Sequence, residues 1–142
     1  MVTPKRSSWG KSSHEYTVNM TSVVVALDSG TTSTRAMVFN HRGSVLGAVQ
    51  REHRQLFPQP GWIEHDPREL LRHAVDVLES VVAQCGLGAN DVAALGVTNQ
   101  RETVIVWNRH TGEPIANALV WQDTRTQDRV DELARSGGTN RF

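Results

Sequence analysis

Asp28 stands at the end of an apolar run, Val23-Val24-Val25-Ala26-Leu27, and Ser29, Gly30, Thr31, Thr32 and Ser33 follow it. The glycine lets a chain turn sharply and lets a ligand come close. The hydroxyls and the turn's N–H groups offer several donors in a small volume. A metal-bound polyphosphate would use the whole set: phosphate oxygens take the donors, and Mg²⁺ with its waters takes the carboxylate. A plain polar turn begun by Asp28 fits the same residues. A second candidate is the adjacent pair Arg101-Glu102 in the stretch Asn99-Gln100-Arg101-Glu102. Glu102 can accept from two hydroxyls and Arg101 can donate to their oxygens, so the pair is complementary to a polyol. Charge-assisted hydrogen bonds contribute roughly 1.5–3 kcal/mol each. A solvated ion pair, worth under about 1 kcal/mol, accounts for the pair equally.

Both groups need elements to position them. The β-branched run before Asp28 predicts a strand covered on both faces. A charge at the tip of such a strand is costly unless something pairs with it. Thr34 to Asn40 predicts a second strand with Ala36 and Val38 inward, Asn40-His41-Arg42-Gly43 a turn, and Ser44 to Arg51 a third strand. The Gly-Thr-Thr turn therefore joins two strands of a hairpin and does not open a helix. There is no G-x-x-x-x-G-K-[ST] motif, and Gly86-Leu87-Gly88 lacks a third glycine at dinucleotide spacing. Walker-type and Rossmann readings fail on that ground.

Residues 55–66 read as a Pro- and Gly-rich loop pinned by Phe57, Trp62 and Ile63. Pro67 to Ala83 predicts a helix, with Asp66 as N-cap, Pro67 in the first turn and Glu69 completing a capping-box-like pair. Its apolar positions are Leu70, Leu71, Ala74, Val75, Leu78, Val81 and Val82, and Gly86 stops it. Asp91 to Thr98 predicts a second buried strand of the parallel type, which sets Asn99 to Glu102 at a carboxyl end, where open α/β sheets bind ligands. Thr103 to Asn108 predicts a further strand, Ala118 to Trp121 a short one, and Asp123 to Arg135 a helix. The order is that of a mixed-sheet α/β unit.

The 142 residues suit one domain. Lys+Arg and Asp+Glu number 15 each, so the net charge is zero. That balance gives no electrostatic reason for nucleic acid or an anionic membrane as partner. Cys85 stands alone and cannot form an internal disulfide, which suits a reducing compartment such as the cytoplasm. The six histidines are scattered along the chain, with no pair at metal-ligand spacing and so no metal cage. Residues 1–19 are polar and irregular, without an apolar segment of a secretory signal, and read as a disordered extension; Met20 is an alternative start.

The stretch LDSGTTSTRAMVF resembles the first phosphate-binding hairpin of the actin/hexokinase/Hsp70 ATPases, and more closely that of the FGGY sugar and polyol kinases. PQPGWIEHDP, GVTNQRETVIVWNRHTG and ALVWQDTRT extend the likeness from about Val23 to Thr126 and are similar to the glycerol-phosphorylating branch of that family. Members of that branch usually carry Gln where Ser29 stands. The resemblance implies the actin-like (ribonuclease H-like) N-terminal domain, present in part over residues 20–142, in an enzyme that closes over ATP·Mg²⁺ and glycerol. It assigns Asp28 to Mg²⁺ through water, and Thr31, Thr32 and Ser33 to the nucleotide phosphates. Arg35 goes to the phosphoryl-transfer region, and Arg101 and Glu102 to the glycerol hydroxyls, with Trp121 on the carbon face. Asp28 and Arg35 are then the catalytic candidates. The general base and the adenine site of the family fall beyond residue 142, so the chain alone is expected to be inactive and its sheet incomplete. A separate chain carrying the remainder, or a homo-oligomer, is the implied partner. A non-catalytic remnant with weak phosphate or polyol binding is the competing expectation.

Overall fold

A computed structural model describes residues 22–137; the expected extension over 1–19 lies outside them. Three strands form an antiparallel meander: β1 (Val23–Ser29), β2 (Ser33–Phe39) and β3 (Val45–Glu52). They are followed by β4 (Glu64–His65), α1 (Pro67–Gln84), a 3₁₀ turn (Ala89–Asp91), β5 (Val92–Thr98), β6 (Ala118–Leu119) and α2 (Gln127–Arg135). The main sheet has the order β3-β2-β1-β5, with β5 parallel to β1. The short strands β4 and β6 pair antiparallel in a second sheet.

Alternation along the strands builds the core. Val23, Val25 and Leu27 of β1 and Ala36 and Val38 of β2 point to one face, where Val77 and Val81 of α1 close over them. Asp66 caps α1 by accepting from the Arg68 N–H at 2.8 Å. Glu69 does not complete a capping box, because its carboxylate accepts from the Arg54 N–H at 2.8 Å. α1 ends at Gly86, whose φ of +64° leaves the helical region. Gly47 of β3 is packed so closely that an added Cβ would lie 2.6 Å from the Cys85 sulfur, so Cys85 is a packing residue.

The sheet is covered on one face among the described residues, not on both. Val24 is 44% exposed, and the expected buried strand β5 is open, with Leu95 51% and Val97 65% exposed. α1 lies mainly over β2 and β3 and touches β1, and of β5 only Val92, at its start, packs against the core. Leu71 and Val75 of α1 also face outward, as does Phe57 of the loop it was expected to pin. Thr103 to Asn108 is not a strand: only Val104 and Trp107 make isolated bridges, to Leu119 and Pro114. Pro114 has no N–H with which to continue a ladder. α2 begins four residues later than expected, because Asp123 and Arg125 are held in a network described below.

Candidate functional site

Strand β1 delivers Asp28 to its C-terminal end, where the cross-strand neighbours are Arg35 on β2 and Thr98 on β5. Directly paired residues share a face, so Asp28 and Arg35 lie on the face away from α1. Asp28 is exposed and has no side-chain partner among the described residues, so the desolvation cost expected for it is absent. Arg35 does not pair with Asp28. Its guanidinium donates to the Gln50 side-chain oxygen on β3, through Nε at 2.8 Å and through Nη2. The turn between the strands is tight: the Gly30 N–H donates to the Ser33 carbonyl at 2.9 Å, and a Cβ on Gly30 would lie 3.1 Å from that oxygen.

Thr31 at this turn reaches across the sequence. The Trp121 indole N–H donates to its hydroxyl at 2.9 Å. A cleft of about 290 Å³ opens beside this contact, lined by Gly30, Thr31, Asn99, Gln100, Arg101, Glu102 and Trp121. The structure thus brings Thr31, Arg101, Glu102 and Trp121 to one cleft, while Asp28 and Arg35 share the sheet face at the end of the same strands. Thr32 and Ser33 do not line the cleft; the Thr32 carbonyl accepts from the His53 N–H at 2.8 Å. Glu102 has φ +59°, a left-handed conformation that non-glycine residues seldom adopt. The Gln100 amide lines the same cleft with both its nitrogen and its oxygen buried and without a partner among the described residues.

Just after Trp121 in the chain lies a network that the sequence reading missed. Arg125 donates through Nη2 to Glu64 Oε1 and to Asp123 Oδ2, each at 2.7 Å, and through Nε to Asp123 Oδ1 at 2.8 Å. Asp123 Oδ2 also accepts from the Ile63 N–H at 2.7 Å, and Glu64 Oε2 from the Asn117 amide at 2.9 Å. The guanidinium sits 3.8 Å from the centroid of the Trp62 ring, a favourable cation–π geometry. The hydrogen bonds from Arg125 hold the Asp123 carboxyl well below the usual carboxylate range. Arg125 and then Asn117 do the same for Glu64, and the two acids raise Arg125 in return. The only sequence signal was an unusual density of charge, Glu64-His65-Asp66 and Asp123-Thr124-Arg125, beside short apolar runs.

The histidines are not scattered in space. His53, just past β3, lies with its Nδ1 3.2 Å from Nδ1 of His73 on α1. The expectation of no metal-ligand grouping is corrected here: His53, Glu69 and His73 offer ligand atoms within 4.8 Å of one another. Spacing along the chain hid this, because the third member comes from another element.

Residues 23–142 match the family model described as the FGGY family of carbohydrate kinases, N-terminal domain. A glycerol kinase of Methylorubrum extorquens is 55% identical over 123 residues, covering 87% of this chain and 25% of that protein. Among solved structures, Plasmodium falciparum glycerol kinase with ADP superposes with a TM-score of 0.75 at 31% identity, over 84% of this chain and 24% of that one. A xylulose kinase from Rhodospirillum rubrum gives 0.72 at 28% identity, over 80% and 23%. The chain spans about a quarter of the length of these relatives.

Proposed function

The chain belongs to the FGGY family of carbohydrate kinases, and from that premise we propose that the protein it comes from phosphorylates glycerol with ATP, giving glycerol 3-phosphate and ADP. One observation carries this reading. The Thr31 turn, the Arg101-Glu102 pair and Trp121 line a single cleft, tied by the Trp121–Thr31 hydrogen bond. A donor-rich turn and a polyol-complementary pair then border the same cleft, which offers donors for a phosphate beside partners for a polyol.

Glu102 accepts from two glycerol hydroxyls, Arg101 donates to their oxygens, and the exposed Trp121 ring packs on the carbon face. Thr31, with Thr32 and Ser33 of the same hairpin, takes phosphate oxygens. Arg35, pre-set by Gln50, stands on the Asp28 side of the sheet and offsets charge on the transferred group. The residues fit a hydrated Mg²⁺: Asp28 is an exposed carboxylate at a strand end with no side-chain partner among the described residues. The ion would offset charge on the phosphates. This chain's part is to bind and orient, and correct placement of two substrates can supply roughly 7–11 kcal/mol of a barrier.

The test is Arg101→Ala in the full-length protein. Glycerol kcat/KM falls while ATP affinity, measured by calorimetry, holds. Equal loss of both would remove Arg101 from the polyol half of the cleft.

A further inference from the structure

We propose that His53, Glu69 and His73 form a binding site for a borderline divalent transition ion such as Zn²⁺, which joins the end of β3 to the first turns of α1. The three ligand atoms come from two elements that the fold packs together. Glu69 and His73 are four residues apart on α1, which places them on one helical face. His53 continues the alternation of β3 through Gly47, Val49 and Arg51, so its ring lies on the α1 side of the sheet.

Three features separate this group from a chance cluster. The first is spacing. Two nitrogens bound tetrahedrally at Zn–N lengths near 2.0–2.1 Å stand about 3.3–3.4 Å apart, close to the 3.2 Å between the two Nδ1 atoms. The Glu69 carboxylate lies inside the same 4.8 Å grouping. Imidazole and carboxylate donors in this number suit zinc and its neighbours rather than Mg²⁺ or Ca²⁺.

The second is orientation from behind. Metal-binding imidazoles commonly donate their other N–H to a neighbouring oxygen, which fixes the tautomer and frees the ligating lone pair. His53 has that partner: its Nε2 lies 3.0 Å from the Thr34 hydroxyl, which is fully buried. Glu69 is steadied in the same way, since one of its oxygens accepts from the Arg54 N–H.

The third is His65. It is 1% exposed, its two ring nitrogens have no hydrogen-bond partner among the described residues, and its ring centroid lies 5.7 Å from that of His53. A buried imidazole always carries at least one N–H, and such groups are almost always paired. Three protein ligands leave a fourth position of a tetrahedral ion for solvent. A solvent ligand at that position would bring a polar group to the side of His53 on which the His65 ring packs.

The site would act on the phosphate hairpin without touching substrate. His53 meets that hairpin twice, through its N–H to the Thr32 carbonyl and through its ring to Thr34. An ion holding His53 to α1 braces the Thr31–Ser33 turn from beneath.

The experiment reads the ion directly, so it stands or falls apart from the kinase reading. Untagged full-length protein is titrated with Zn²⁺ by calorimetry, and with Co²⁺ followed by visible absorption. The expected result is one saturable site with intense tetrahedral-type cobalt bands. His73→Gln and Glu69→Gln, both at partly exposed positions, each weaken binding by about 10–100-fold or more, and Thr34→Val weakens it by about 10–100-fold. Circular dichroism checks that each variant is folded. Absence of a saturable site in the parent protein overturns the proposal. So does zinc affinity that both His73→Gln and Glu69→Gln leave unchanged, which would report a plain His53–His73 hydrogen bond.

Discussion

Glu102 carries two separable energies, and a pair of substitutions separates them. In the proposed function its carboxylate accepts from the polyol, while its backbone sits at φ +59°. Alanine and glycine both delete the carboxylate, but only glycine adopts this φ without a penalty. A left-handed non-glycine residue costs roughly 1–2 kcal/mol, and glycine gives back a few tenths through its greater freedom in the unfolded chain. Glu102→Gly should therefore be more stable than Glu102→Ala by about 1 kcal/mol in urea unfolding. Glu102 is exposed and makes no ion pair among the described residues, so little else differs between the two variants. Against glycerol the variants should fail alike. Two charge-assisted hydrogen bonds at roughly 1.5–3 kcal/mol each amount to about 10²–10⁴ in kcat/KM. Steady-state kinetics with glycerol varied at saturating ATP measures this. If the glycine variant is no more stable than the alanine variant, the backbone is not strained there. If glycerol kcat/KM falls less than about fivefold in both, Glu102 is no polyol ligand and the cleft has been assigned wrongly.

Three further outcomes concern the Glu64–Arg125–Asp123 network, the loop it pins and the β2–β3 turn. Folding holds the Asp123 and Glu64 carboxyls below their ordinary values of 3.8 and 4.5, so the unfolded chain binds more protons in acid. Their contribution is complete above about pH 5 and is lost as pH falls through the depressed folded values; melting temperature across that range should drop, and Asp123→Asn should flatten the acid limb. Gly61 has φ +79°, and an added Cβ would lie 2.6 Å from the Thr124 hydroxyl. Gly61→Ala should destabilise by about 2–5 kcal/mol from backbone strain and overpacking together. Gly43→Ala, at φ +77° with nothing within 4 Å, should show the strain of about 1–2 kcal/mol alone, both by urea unfolding.

The hairpin and α1 were legible because local signals carried them. The β-branched run, the glycine turn and the Asp66-Pro67 start specify their elements without tertiary help, and their observed bounds match within a residue or two. What was not legible depended on partners distant in the chain. Glu69 has the right spacing for a capping box, yet the Arg54 N–H, arriving from the loop after β3, takes its carboxylate. Val104 to Trp107 has strand propensity, but its opposite segment contains Pro114 and supports only isolated bridges. Asp123 to Thr126 has helical composition, but Arg125 is drawn to Glu64, 61 positions away. Of the site, residue types and the strand-end position were readable. The Trp121–Thr31 contact, which makes one cleft out of two motifs, spans 90 positions and was not.

The strict alternation of β1 decides how the chemistry and the fold can coexist in so short a stretch. Val25 and Leu27 point under α1 and are almost fully buried, while Asp28 points the other way and is exposed. On that outer face the parallel neighbours of Val24, Ala26 and Asp28 are Ala94, Gly96 and Thr98, all small. A Cβ built on Gly96 would meet nothing within 4 Å. The outer floor beside Asp28 is therefore low and open, which suits the approach of a bulky anion and gives core packing nothing to hold. It follows that substitutions at Asp28 or Arg35, the proposed catalytic positions, should have little effect on stability. A change one residue away at Leu27 would cost the roughly 2–5 kcal/mol of a core truncation. Were the strand buried on both faces, as its composition alone suggests and as it is not among the described residues, no such separation would exist, and every change at the site would also be a change in the core.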